Sequence, residues 1–293
     1  MDFLYAIFMG IIQGLTEFLP VSSSGHLAIF QHIFGLKADT GVLFEALLHL
    51  GTLAAVGLVF WKDVKNLVVH GLGLIGDACL YAWQWVMCKV QHRPFKKRRL
   101  VNNAYRKFAL LIIVTSIPTA IIGFALRGVI NAASSVLVIP GICLVVTAII
   151  LLLVDGRPGG KKKVKAATYG NAAVIGVAQG IATLPGISRS GSTIAACLFL
   201  GMDRSFAVRY SFLASVPAIV GANLLEIGGI IGQPVSATLI ASYIVGMLVA
   251  AVVGYVCIKV MINIVQKSRY QYFAYYCAII GIISIIAYFF FNK

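Results

Sequence analysis

The stretch Gly10-Ile11-Ile12-Gln13-Gly14-Leu15-Thr16-Glu17-Phe18-Leu19-Pro20-Val21-Ser22-Ser23-Ser24-Gly25-His26 decides how the chain is read. It starts as an apolar helix that carries Gln13 and Glu17 one turn apart on one face. Pro20 then stops the helix, three serines follow, and Gly25 permits tight backbone approach as a second helix begins at His26. The device occurs twice. Shifted by 166 residues, Gly10, Gln13 and Gly14 fall on Gly176, Gln179 and Gly180, and Ser22 to His26 fall on Ser188-Arg189-Ser190-Gly191-Ser192; only Pro20 and Pro185 are one position out of register.

The rest of the chain explains where such breaks sit. Of 293 residues, 60% are hydrophobic and 11% charged, with a mean hydropathy of +0.95, whereas a water-soluble domain carries ~25% charged residues. An integral membrane protein is expected, with length for roughly six to eight helical spans and no separate soluble catalytic domain. The net charge of +15 reads as loop charge facing the cytoplasm and anionic lipid, so membrane lipids are expected partners and nucleic acid is not. The six cysteines show no metal-ligand spacing and read as packing residues. The amino-terminal run lacks a basic region and a small-residue cleavage site, and is not read as a cleaved signal.

Apolar runs of membrane length lie at 41–60, 108–127, 135–154, 207–230, 236–258 and 272–290. Two further stretches, 3–35 and 170–201, are apolar at both ends and broken in the middle. Irregular backbone at membrane depth must be buried in protein or line a polar cavity, so both are predicted to be re-entrant helical hairpins. The predicted fold is all-α: one membrane domain over 1–293, with six transmembrane helices and two re-entrant hairpins. Its parts are a first repeat core at 1–60, a basic insertion at 61–107, two spans within 108–154, a second repeat core at 170–230 and two C-terminal spans at 236–290. The insertion, with Trp83, Trp85 and the run Arg93 to Arg99, reads as an interfacial amphipathic excursion plus a cytoplasmic loop. Placing 61–107, 155–169, 202–209 and 259–271 inside collects 20 of the 24 Lys and Arg residues. Three spans separate the two breaks, so the copies are expected to have opposite orientations, an inverted-topology repeat.

Inverted repeats with broken helices are typical of transporters, which bind substrate near the midplane where the breaks meet. Ionisable residues inside the membrane are functional by default, and Glu17, His26 and Arg189 lie within the breaks. Backbone N–H groups at a helix start, flanked by Ser22, Ser23 and Ser24, favour an anion such as phosphate. Ser188, Ser190, Gly191, Ser192 and Thr193 repeat that device around Arg189, whose guanidinium matches phosphate oxygens with two donors. An anion carrier needs only such a clamp. Glu17 and His26 beside serines add a base or metal ligand, a proton donor and a nucleophile, which suits phosphoryl transfer. The serines also suit plain helix capping, His26 a satisfied buried histidine, and Glu17 a structural partner for Arg189.

The Gln13–His26 stretch, together with Pro185-Gly186-Ile187-Ser188-Arg189-Ser190-Gly191, closely resembles the two signature motifs of bacterial undecaprenyl-diphosphate phosphatase of the bacitracin-resistance type. The resemblance covers nearly the full length and includes Phe44-Glu45. It implies hydrolysis of undecaprenyl diphosphate to the monophosphate carrier of cell-wall synthesis, with Mg²⁺ or Ca²⁺ as cofactor and a polyprenyl diphosphate lipid as partner. Also implied are a location in the bacterial plasma membrane and a site open to the extracytoplasmic side; a homodimer is a further expectation. By resemblance Glu17, Ser23, His26 and Arg189 match catalytic positions, with Glu17 also a metal ligand. Gln13, Ser22, Ser24, Gly25, Glu45, Ser188, Ser190, Gly191, Ser192 and Thr193 are the expected substrate-binding residues. The family allows Glu or Gln at the position of Gln13, and Gln leaves a metal with one carboxylate fewer. The nucleophile is either Ser23, with His26 as its partner or as proton donor to the leaving group, or water. A polyprenyl-phosphate transporter using the same anion clamp is the alternative function.

Overall fold

The computed structural model describes residues 3–33, 38–95, 97–134, 136–157, 159–228, 236–266 and 269–291. Those residues form twelve helices: α1 (Phe3–Phe18), α2 (Ser23–Ile33), α3 (Ala38–Val59), α4 (Trp61–Val90), α5 (Ala104–Ala125), α6 (Arg127–Ser134), α7 (Val138–Val154), α8 (Tyr169–Ile181), α9 (Arg189–Phe199), α10 (Arg204–Gly228), α11 (Ala237–Gln266) and α12 (Gln271–Phe291). Among them α5, α10, α11 and α12 are long and apolar enough to cross a membrane. Helices α1 and α7 are shorter apolar helices, and α3 bends by 92° into α4.

Burial is inverted relative to a water-soluble protein. On α5, Ile113, Ile117, Ile121 and Phe124 form an exposed stripe, while Gln13, Glu17, Ser23, His26, Thr115 and Gln179 are buried. Large apolar side chains turned outward over polar groups turned inward fit a lipid solvent, and the chain is an integral membrane protein.

Both predicted breaks are present. The first arm ends at Phe18, before Leu19 and Pro20, and Ser22 adopts the left-handed region at φ +67° before α2 starts. The second ends at Ile181 and turns through Gly186 at φ +98°, where a Cβ would stand 2.3 Å from the Pro140 carbonyl oxygen. Only glycine fits that turn.

The first arm of each broken segment packs on a helix from the other half of the chain, α1 on α11 and α8 on α5. Glycines from the matching sequence positions make both contacts. A Cβ on Gly10 would come within 2.5 Å of the Gly246 carbonyl oxygen, and one on Gly176 within 2.2 Å of that of Thr115. Gly14 and Gly180, one turn on, meet Val253 and Ile122 in the same manner. Such small-residue seams let helix backbones approach where lipid gives no hydrophobic drive.

Some expectations shift. Residues 61–90 form a single 30-residue helix, longer and more regular than the excursion expected there. The short helix α6 stands before the 135–154 run, whose helix begins at Val138. The far ends of the predicted 3–35 and 207–230 segments lie outside the described residues, as does Lys37.

Candidate active site

The two breaks meet. A Cβ built on Gly25 would lie 2.8 Å from the Gly186 Cα, and Ser190 Oγ donates to the Leu19 carbonyl at 3.3 Å. Repeat-related serines cap the second arms identically: Gly25 N–H donates to Ser22 Oγ at 3.3 Å, and Gly191 N–H to Ser188 Oγ at 3.1 Å. Ser24 and Ser190 sit beside these caps, with hydroxyl separations of 3.4 and 3.3 Å. Thr147 of α7 fastens the second break, donating to the Gly186 carbonyl at 2.9 Å and accepting from Ser188 N–H at 3.0 Å.

Glu17 is the hub. Its side chain is 2% exposed and its Oε1 pairs with the Arg189 guanidinium, which is 23% exposed. Its Oε2 accepts from Ser23 Oγ at 2.6 Å and from Gln13 Nε2 at 3.0 Å. A charge this deep is tolerable only with such partners. The accessible side of the pair is the guanidinium. A small pocket at this point is lined by Glu17, Phe18, Arg189, Ser190, Ser211, Phe212 and Ser215.

His26 is turned elsewhere, and the expected pairing with Ser23 is replaced. Its Nδ1 lies 2.8 Å from the Ser22 carbonyl oxygen and its Nε2 2.8 Å from the Tyr276 hydroxyl. Since a carbonyl can only accept, Nδ1 carries the proton and the Tyr276 hydroxyl donates to Nε2. The partner of Ser23 is therefore Glu17. Thr193 also serves structure, donating to the Arg189 carbonyl and meeting Ser211 Oγ at 2.5 Å. Ser192 is buried. Glu45 accepts from Gln31 Nε2 at 2.5 Å, which places it against α2 and one turn before His49.

Sequence reasoning missed four side chains that the fold brings in. His49 of α3 has its Nδ1 2.9 Å from Gln13 Nε2 and 3.4 Å from Glu17 Oε2. Its signal was available, an imidazole inside an apolar span. Ser211 and Ser215 stand one turn apart in α10, within a run that reads as plain span. Tyr276 gave no signal, because tyrosine is ordinary at a membrane interface.

Among the described residues, no three of His, Cys, Asp and Glu cluster as an all-protein metal cage. Glu17 has the His49 imidazole and the Gln13 amide beside it, and Gln13 Oε1 is buried with no hydrogen-bond partner. One carboxylate, one imidazole and an amide oxygen suit a divalent cation that takes its remaining ligands from phosphate.

The fold and site define a class: a polytopic helical membrane protein whose two broken helices close on a carboxylate, a guanidinium and hydroxyls suited to a phosphorylated ligand. Residues 6–283 match the family model described as bacitracin resistance protein BacA, and the chain belongs to that family. It is 40% identical over 286 residues to the undecaprenyl-diphosphatase of Methanosphaera stadtmanae, covering 98% of both chains. It is 43% identical over 287 residues to that of Desulforapulum autotrophicum, covering 98% of this chain and 99% of the relative. It is 44% identical over 282 residues to that of Desulfosudis oleivorans, covering 96% and 97%.

Proposed function

We propose that this protein is an undecaprenyl-diphosphatase, hydrolysing undecaprenyl diphosphate to undecaprenyl phosphate and inorganic phosphate, and thereby contributing to bacitracin resistance. Full-length similarity to relatives bearing that name supports the reaction. The observation that carries the site is the Ser23–Glu17–Arg189 chain of contacts. Arg189 receives the terminal phosphoryl group and draws off its charge. Ser23 Oγ attacks the terminal phosphorus, its proton passes to Glu17 Oε2, and the bond from phosphorus to the bridging oxygen breaks. Undecaprenyl phosphate leaves with that electron pair; as a phosphate it needs little further protonation. Water then cleaves the phosphoserine, with Glu17 returning the proton to Ser23.

Mg²⁺ or Ca²⁺ would be held by Glu17 with Gln13, and would neutralise phosphate oxygens there. The breaks act as re-entrant hairpins of an inverted repeat within six spans, a reading supported by the reciprocal packing of α1 on α11 and α8 on α5. The charge distribution favours the plasma membrane with the site open to the extracytoplasmic side. Purified protein in detergent should release inorganic phosphate from undecaprenyl diphosphate; a protein that only carries the lipid would release none.

A further inference from the structure

We propose that α4 lies along the membrane surface and that the cavity between it and the chain at 98–106 binds the phosphate headgroup of an anionic phospholipid. This goes beyond the phosphatase reading and does not depend on it. Helix α3 bends by 92° into α4, so with α3 running across the bilayer α4 runs in its plane. At 30 residues and about 1.5 Å per residue it is roughly 45 Å long, and it packs on α5.

The two faces of α4 differ. Asp63, His70, Asp77 and Gln84 recur at seven-residue steps, and the first three are engaged by the protein. His70 stacks on Tyr105 with ring centroids 5.7 Å apart, Tyr105 donates to Asp63 at 3.3 Å, and Arg106 pairs with Asp77 at 2.6 Å. On the opposite face Val68, Leu72, Ile75, Cys79, Trp83 and Val86 recur at three- and four-residue steps, and all are exposed. Polar groups inward and an apolar stripe outward repeat the arrangement of the lipid-facing α5. All three tryptophans of the chain, Trp61, Trp83 and Trp85, lie on this helix and are exposed, and indole rings settle at the headgroup level of a bilayer.

Charge selects the occupant. Residues 61–107 carry ten Lys and Arg against two carboxylates. Both carboxylates are satisfied from within, Asp77 by Arg106 and Asp63 by Arg209 of α10. The segment therefore turns a cationic surface outward, which attracts anionic lipid and repels a second copy of the same helix.

The cavity gives that attraction a geometry. Phe95 meets Tyr81 edge-on at 4.8 Å, which brings the basic run back alongside α4. Arg98, Arg99, Asn102, Tyr81 and Gln84 line a space of about 160 Å³, room for several waters or one phosphate group. Arg106 forms a fixed wall, held by Asp77 and by the Leu100 carbonyl at 2.8 Å. Arg98 and Arg99 have no carboxylate partner among the described residues, and their guanidinium forks match phosphate oxygens. Leu80 joins the lining to the exposed apolar side, so a headgroup seated here has a surface for its acyl chains that free phosphate would not use.

The tryptophans make the test selective. The full-length protein with Trp61→Phe and Trp85→Phe, in which Trp83 is the one remaining indole, is reconstituted into phosphatidylcholine vesicles containing a minor fraction of lipid brominated high on its acyl chains. Trp83 should be quenched by the bromolipid and shielded from aqueous acrylamide. Brominated phosphatidylglycerol should be enriched at Trp83 over brominated phosphatidylcholine by about fivefold or more, and excess inorganic phosphate should leave that preference unchanged. Arg98→Gln with Arg99→Gln should abolish it, whereas Lys62→Gln with Lys65→Gln, the same loss of charge outside the cavity, should keep most of it. Four results would overturn the proposal. Trp83 open to acrylamide places α4 in water, and Trp83 shielded from both quenchers places protein, such as a second copy, against the stripe. Loss of the preference to inorganic phosphate assigns the cavity to the free anion, and equal loss in the two double variants leaves only diffuse charge.

Discussion

Ser23 Oγ donates a 2.6 Å hydrogen bond to Glu17 Oε2, six residues back across the Pro20 break, while the other Glu17 oxygen holds Arg189 from the opposite half of the chain. One carboxylate thus joins the proposed nucleophile and the proposed anion clamp. Ser23→Ala and Glu17→Gln should each reduce phosphate release by a factor of about 10² to 10⁴, the usual range for losing a positioned base or its partner. Because the two act as a unit, the double variant should be little worse than either single one. Additive losses would mean that they work separately.

Arg189→Lys should stay impaired by about 10² or more, since a point charge cannot reproduce the two-pronged match to phosphate. Arg189→Ala should also destabilise the protein by roughly 3–5 kcal/mol, because it strands the Glu17 carboxylate without its cation. Adding Glu17→Gln to Arg189→Ala should restore much of the thermal stability in detergent and none of the activity. Failure to recover the stability would show that the pair does not hold the breaks together.

The glycine seams give a packing prediction. Gly10→Ala and Gly176→Ala should each destabilise by about 1–3 kcal/mol, since the added carbon strikes a backbone carbonyl that cannot move aside. Gly57→Ala and Gly76→Ala meet nothing within 4 Å, and should be neutral or stabilising by roughly 0.5–1 kcal/mol through helix propensity. Denaturation midpoints in one detergent compare all four.

Much of this arrangement was legible in the chain. The proline, the glycines and the serine clusters mark both breaks, because helix termination is a local property, and the 166-residue register pairs Ser22 with Ser188, each of which caps the helix that follows it. What sequence could not supply were contacts made across helices. His26 and Ser23, i and i+3 at a helix start, suggested a catalytic pair; Tyr276, 250 positions away, holds the imidazole instead. His49 carried a signal, an imidazole inside an apolar run, but its closeness to Glu17 depends on how α3 seats beside α1. Thr147, Ser211 and Ser215 likewise read as the ordinary polar content of spans.

The side of the membrane is open to direct test. In a background with Cys79 and Cys88 replaced, since these are the cysteines that are not buried, Arg127→Cys should react with an impermeant thiol reagent in whole cells. Lys97→Cys and Lys162→Cys should react only after lysis, as expected of the basic face. The opposite pattern would turn the site toward the cytoplasm.

The most direct test of Ser23 as nucleophile is a rapid acid quench of the purified enzyme during single turnover of terminally labelled undecaprenyl diphosphate. The predicted result is label held covalently on Ser23 before phosphate appears, and no such label in Ser23→Ala, whose phosphate release is also lost. If no label is retained at any time and Ser23→Ala still turns over the lipid, water attacks phosphorus directly and the Ser23–Glu17 account is contradicted.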